Sequence, residues 1–430
     1  MKFEKGFLLG AATAAHQVEG NNTHNDCWAQ EQMKYTSYAE PSLDAVDHYH
    51  RYEEDIRLLK EAGLNAYRFS LEWARIEPEE GVFDEKEIEH YRDVILCGKK
   101  YGVEPVVTLF HFSSPVWLIR KGGWEADSTP DDFAAYVRVV AEKLGPELGL
   151  VCTINEANMG LQIAAIAQRY RQQMMAAAAR LKAGGADNQV QMGINFKTMM
   201  ENQKRIAEEN KEVFGTENPA VFCSARSAES DAIVMKAHEK ARAVLRKLCP
   251  QVRLGLTLSL HDVQAADGCE KQAEQVWNSE FSHYVPYIKD DDFLGVQCYS
   301  RNIIGENGPL PVPEGAAVTQ MGYENYPESL EHVIRRVHAE FGGDIIVTEN
   351  GIATADDAER VKYLGTAIAG VQSCIRDGIP VKGYFCWSLL DNFEWQKGFA
   401  MTFGLIAVDR STQKRFPKPS LAFLGSYAPD

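Results

Sequence analysis

The sequence predicts an α/β protein folded as a single (β/α)8 TIM barrel, with an extended, mostly helical insertion after the fourth strand. Three observations carry this prediction. Eight short runs are nearly continuous in apolar residues, as strands covered on both faces are. Helical patterns lie between them, so strand and helix alternate along the chain. No linker or 20–50-residue repeat divides the 430 residues, so 1–430 reads as one domain. The alternative, an open doubly wound sheet, would place a Gly-rich phosphate loop after a strand, and none is present.

The eight strands are expected at 6–13 (GFLLGAAT), 66–71 (AYRFSL), 105–110 (PVVTLF), 150–155 (LVCTIN), 253–260 (RLGLTLSL), 293–300 (FLGVQCYS), 344–350 (DIIVTEN) and 381–390 (VKGYFCWSLL). The first follows two lysines and has a superficial likeness to a secretory signal. Glu4 interrupts the basic stretch and Gly10 breaks a short apolar one, so a strand is the better reading. Residues 45–62 carry Tyr49, Tyr52, Ile56, Leu59 and Lys60 around a 3.6-residue period and end at Gly63, a C-cap signal. Similar helical segments cover 85–101, 130–144, 228–248, 271–288, 326–340 and 356–377. Residues 160–227, rich in Ala, Gln, Met and Asn, form the insertion, with a flexible KAGGADNQ at 182–189; NGPLPVPEGAAV at 307–318 reads as a surface loop.

Composition narrows the function. The formal charge is −16, from 45 basic and 61 acidic residues, without a long block of one sign. This disfavours nucleic acid or an anionic membrane as a partner. No apolar run is long enough to span a bilayer. Nine cysteines lack a CxxC pair or regular spacing, which suits buried free thiols in a reducing, cytoplasmic compartment. Cys and His do not cluster at metal-ligand spacing, so neither a metal nor another cofactor is expected. Monomer and homo-oligomer both remain open.

Active sites of such barrels sit where strands end. There the sequence places His16, Gln17 and Glu19 after strand one, and Arg68, Glu72 and Trp73 within or after strand two. His111 follows strand three, Asn155 and Glu156 strand four, and Tyr299 closes strand six. Glu349 and Asn350 end strand seven, where Gly351 turns the chain; Trp387 and then Asp391, Asn392, Glu394 and Trp395 follow in and after strand eight. Singly, each has a plain structural use: a helix-start carboxylate, a packed indole, a hydrogen-bonded histidine. Together, two carboxylates with indoles, amides and an imidazole suit cleavage of a glycosidic bond, where one carboxyl protonates the leaving oxygen and another meets the anomeric carbon.

FLLGAATAAHQVEG (7–20), YRFSLEWARIEP (67–78), TLFHF (108–112), TINEAN (153–158), VTENG (347–351), WSLLDNFEW (387–395) and FGLIAVDR (403–410) closely resemble glycoside hydrolase family one, the retaining β-glucosidases. The resemblance implies that Glu349 is the nucleophile and Glu156 the acid and then base. It implies that Gln17, His111, Asn155, Glu394 and Trp395 bind the glycone, that Trp387 is a stacking platform, and that Arg68 and Tyr299 hold the nucleophile. Arg68 would keep Glu349 ionised, while Glu156 would need a raised pKa. The substrate implied is a β-glucoside or oligosaccharide, with Glu394 disfavouring 6-phosphorylated sugars.

Several positions depart from the family pattern. Ala157 stands where a proline usually follows the N-E pair, Gln297 and Cys298 replace Asn and Tyr, Thr402 replaces an Arg and Ala407 a Tyr. None is a catalytic group; Gln297 bears on hydrogen bonding near the 2-hydroxyl, and the insertion on the leaving-group side. A transglycosidase using the same residues, a sugar-binding barrel without catalysis, and a metal-dependent barrel hydrolase are the competing readings.

Overall fold

A computed structural model describes residues 1–179 and 195–429. Its central sheet closes on itself. The strands are β1 (Leu8–Ala12), β2 (Ala66–Ser70), β3 (Glu104–Phe110), β4 (Leu150–Ile154), β5 (Arg253–Ser259), β6 (Phe293–Gln297), β7 (Ile345–Asn350) and β8 (Val381–Trp387), each parallel to its sequence neighbours, with β8 pairing back onto β1. All eight expected strands are present. The structure trims their ends: Ser388, Leu389 and Leu390 leave β8 to meet Phe403, Ala12 and Ile406 instead.

A helix follows each strand: α1 (His48–Glu61), α2 (Glu85–Lys100), α3 (Thr129–Leu144), α4 (Ala228–Leu248), α5 (Glu270–Glu280), α6 (Ser329–Phe341), α7 (Asp357–Arg376) and α8 (Pro419–Gly425). Local chemistry sets their ends. The side chains of Asp84, Ser227 and Asp356 accept N-terminal amides of α2, α4 and α7. Gly63, at φ +97°, ends α1 as expected. The helix expected over 271–288 is interrupted after Glu280 and resumes at Val285–Ile288, where Pro286 supplies no amide donor. The eighth helix, seven residues long, had no periodic signal.

Two apolar layers result. Ala12, Ala66, Val106, Cys152, Phe293, Ile346 and Phe385, from seven strands, form one cluster; a larger one packs the helices onto the sheet. Beyond β4 the chain forms helices Met159–Ala179, Phe196–Glu201 and Gln203–Phe214 before α4; the expected flexible stretch 182–189 lies outside the described residues. The stretch expected as a loop at 307–318 contributes Gly308–Pro309 to a small sheet with Asp262–Ala265 and Arg301–Gly305. All nine cysteines are free. Among the described residues no helix is long and apolar enough to cross a membrane.

Candidate active site

The end of β7 explains a glutamate at the close of an apolar strand. Val347 pairs with Val296 of β6, yet Glu349 pairs with the next residue, Gln297, so the strand carries one extra residue at Thr348. Such a bulge re-aims the side chain that follows it. Gly351 makes a close approach: a Cβ there would lie 2.0 Å from the Trp387 carbonyl oxygen. Its backbone is not in the left-handed region, so it is this close approach that calls for glycine.

Glu349 is held from two sides. Arg68 Nη1 donates to Oε1 at 2.5 Å, and the Tyr299 hydroxyl donates to Oε2 at 2.7 Å. Arg68 has no exposed side-chain surface, and its Nη2 donates to Asn155 Oδ1 at 2.6 Å. That oxygen also accepts from Gln297 Nε2 at 2.7 Å and Thr257 Oγ1 at 3.2 Å. With Oδ1 so occupied, Asn155 Nδ2 faces His111 Nε2 at 3.1 Å. Burial, reinforced by the charge of Arg68, holds His111 well below the usual imidazole range. A neutral ring accepting at Nε2 carries its proton on Nδ1, a buried atom with no partner in the protein.

Glu156 follows β4 in the left-handed region, at φ +43°, costly for a residue with a side chain. Its amide donates to Thr257 Oγ1 at 2.9 Å, which steadies this geometry. Burial and then the charge of Glu349 push the Glu156 carboxyl well above the carboxylate range, against a hydrogen bond from Ser259 and the more distant Arg68. Burial also raises Glu349, but Arg68 and Tyr299 oppose it. Of the two carboxyls, Glu156 is the stronger proton holder.

Eight of the ten residues singled out from the sequence, His111, Asn155, Glu156, Tyr299, Glu349, Trp387, Glu394 and Trp395, line one cavity of about 310 Å3. Of that space about 20 Å3 admits the centre of a water molecule, so the walls are close. The other two stand behind it. Arg68 braces Glu349, and Gln17 Nε2 donates to the Phe393 carbonyl at 2.8 Å and to Glu394 Oε2 at 3.2 Å, leaving its buried Oε1 without a protein partner. His111 lies nearly parallel to Trp387, ring centroids 5.8 Å apart, and to Trp395 at 6.1 Å.

Other strand-end groups serve the frame instead. Asn350 donates to Cys298 O and Tyr363 and accepts from Tyr384. Glu19 binds Arg75 and Tyr91, Glu72 accepts from Ser113, Trp73 donates to Glu77, and Asp391 pairs with Lys418. Asn392 bonds Ser388, and His16 stacks behind Trp395 with centroids 5.9 Å apart. Sequence reading missed Phe112 and Phe403 in the cavity wall and Thr257 and Ser259 beside Glu156. Among the described residues no group of His, Cys, Asp and Glu could hold a metal ion.

Comparison with known proteins agrees with this geometry. The family model for glycosyl hydrolase family 1 matches residues 1–180 and 281–429. The solved β-glycosidase BGL167 is 42% identical, with a TM-score of 0.86 over 100% of this chain and 98% of that one. A β-glucosidase of Agrobacterium sp. is 30% identical over 97% of this chain and 94% of its own length. A bifunctional β-D-glucosidase/β-D-fucosidase of Bifidobacterium breve is 26% identical over 100% and 99%. The protein whose carboxylates meet in this barrel mouth belongs to glycosyl hydrolase family 1.

Proposed function

We propose that the chain is a retaining β-glucosidase that releases non-reducing terminal β-D-glucosyl residues from glucosides or oligosaccharides, with β-fucosides and β-galactosides as side substrates. The observation that carries the reading is the contrast between two carboxyls in one cavity. Glu349 is fixed by Arg68 and Tyr299, whereas burial and the charge of Glu349 push the Glu156 carboxyl well above the carboxylate range.

In the proposed reaction a Glu349 oxygen attacks the anomeric carbon while the bond to the aglycone oxygen breaks, and Glu156 gives its proton to that oxygen. The resulting glycosyl ester removes the charge of Glu349, and with it a major cause of the high Glu156 pKa. Glu156 then takes a proton from water, whose oxygen attacks the anomeric carbon and frees Glu349. Two inversions give retention, for which carboxyl groups about 5–5.5 Å apart are required. Gln17, His111, Asn155, Glu394 and Trp395 would hold the glycone hydroxyls and Trp387 its apolar face. Glu394, an acceptor at the end of the pocket, favours free hydroxyls over a 6-phosphate.

The reading includes a cytoplasmic location, which nine free cysteines suit, and one catalytic domain of which residues 160–227 are an elaboration. The test is Glu349→Ala and Glu156→Ala on p-nitrophenyl β-glucoside. Each should lose roughly three or more orders of magnitude in kcat/KM. Azide should restore Glu349→Ala with an inverted product and Glu156→Ala with a retained one. Turnover near wild type in either variant refutes the assignment.

A further inference from the structure

Next to the glycone cavity lies a second, far larger space of about 870 Å3, measured by where a water molecule's centre fits. Phe112 walls both. We infer that this chamber receives the leaving group, and that the preferred aglycone is a bulky, amphipathic, multi-ring alcohol or phenol rather than a single further glucosyl unit. The inference rests on the proposed β-glucosidase reading and specifies its substrate class.

Position comes first. The leaving oxygen must stand beside the acid, so the aglycone extends from the Glu156 side. The helix Met159–Ala179 begins three residues beyond Glu156, and Ile163, Ala167 and Tyr170 follow one another along one helical face into the chamber. Across the space the helix Gln203–Phe214 presents Ile206 and Ala207. Cys223, also in the wall, is buried within electrostatic reach of the Glu156 carboxyl.

Chemistry comes second. A disaccharide's outer ring needs a dense set of free donors and acceptors, because each hydroxyl left unpaired on burial costs binding. Here several polar groups in the wall are already committed. Asp26 accepts the amides of Cys27 and Ser114 and Gln396 Oε1 accepts the Asn195 amide, whereas Asn210 Nδ2 donates to the Glu217 carbonyl and its buried Oδ1 has no protein partner among the described residues. Phe112, Tyr38, Tyr170, Ile163, Met200 and Ile206 give the space its apolar faces. Gln30, Ser37, Gln203, Asn218 and Ser224 stand among them as polar groups for ring substituents. Aromatic faces and a pliable thioether fit fused or linked rings of varied outline. The volume lies in the upper part of the range that encloses drug-sized ligands. Arg171 and Lys204 in the lining can meet peripheral hydroxyls of such a ligand.

The test compares methyl β-glucoside, cellobiose, cyclohexyl β-glucoside and the 17-β-glucoside of a steroid alcohol. The last two leave as secondary alcohols, so their difference reports binding more than leaving-group chemistry. The steroid glucoside should exceed cellobiose at least tenfold in kcat/KM, mainly through KM, with cyclohexyl between. Ala167→Trp and, from the opposite wall, Ala207→Trp should each cut the ratio of steroid to methyl glucoside at least tenfold. Cleavage of methyl β-glucoside shows that a variant is folded. Cellobiose equal to or better than the steroid glucoside, or ratios unmoved in both variants, overturns the inference while leaving β-glucosidase action intact. Failure on all four substrates overturns both.

Discussion

The two cavities that meet at Phe112 are built in opposite ways. The glycone end is closely walled, and its side chains hold one another: Arg68 binds Glu349 and Asn155, Gln297 and Thr257 bind Asn155, and Gln17 binds Glu394. The chamber beside it is some forty times larger by the same measure, and is walled largely by helix faces and loops. The family model matches nearly every residue of the first, but breaks off at 180 and resumes at 281, leaving out one wall of the second. Chemistry on the sugar demands particular groups at particular distances, whereas a leaving-group pocket needs only space of suitable polarity. The contrast predicts that the tight end fails steeply and in a charge-dependent way.

The largest effect should come from Arg68→Gln. It strips the counter-charge from a buried carboxylate, a change worth about 3–5 kcal/mol. Glu349 should then take up a proton at neutral pH, and kcat/KM should fall about a thousandfold on every β-glucoside alike, large or small aglycone. Arg68→Lys keeps the charge but loses the forked contact to Glu349 and Asn155, and should recover only part of the activity. A tenfold loss or less in Arg68→Gln, by initial rates, would show that the network matters little.

Next in size is Glu72, behind the glycone wall. Burial lifts its carboxyl to about 7, opposed by the charge of His16, the Ser113 hydrogen bond and Arg75, and aided by Glu19. The fold therefore favours the protonated acid. Its contribution is whole below the unfolded value of 4.5 and is lost as pH rises towards 7. At 1.36 kcal/mol per pH unit this amounts to roughly 3 kcal/mol. Urea unfolding at pH 4.5 and pH 8 should show the decline in wild type and a much flatter dependence in Glu72→Gln. Equal slopes in the two proteins would place the pH sensitivity elsewhere.

Tyr299→Phe should cost about one to two orders of magnitude. The lost hydrogen bond had favoured the ionised Glu349, so its pKa rises and the acidic limb of the kcat/KM profile should move to higher pH. An acidic limb that stays in place would separate Tyr299 from the ionisation of the nucleophile.

What the sequence disclosed follows the same division. Strand-end motifs such as TINEAN and VTENG declared their residues because polar groups interrupt apolar strands there. Thr257 and Ser259 stayed hidden inside the run RLGLTLSL, where two short hydroxyls look like ordinary strand residues. The bulge at Thr348 shifts the register by one residue within an unbroken strand, and composition carries no trace of that. Gly351 was legible as the residue that turns the chain, but the crowding against Trp387 that requires a glycine exists only once β7 and β8 are paired. The chamber was least legible. The spacing of Ile163, Ala167 and Tyr170 marks one face of a helix, but nothing in the spacing says whether that face meets protein or open space.

The smallest expected effect is the most informative about where the tight end stops being fixed by family. Gln297 stands where the family commonly has Asn, and it reaches Asn155 Oδ1 at 2.7 Å, with Thr257 Oγ1 3.4 Å away. Gln297→Asn shortens that reach by one methylene, yet Asn155 would keep Arg68 and Thr257 as donors. The catalytic geometry should survive, with kcat/KM changed by no more than about tenfold, near 1.4 kcal/mol, the value of one ordinary hydrogen bond. Because Asn155 is proposed to meet the glycone, the change should appear with a β-glucoside and shrink with its 2-deoxy analogue. A loss of the same size on both substrates would mean that Gln297 acts on the Arg68–Glu349 pair through Asn155, extending the coupled charge network to β6 and making the glycone end still less tolerant than the chamber beside it.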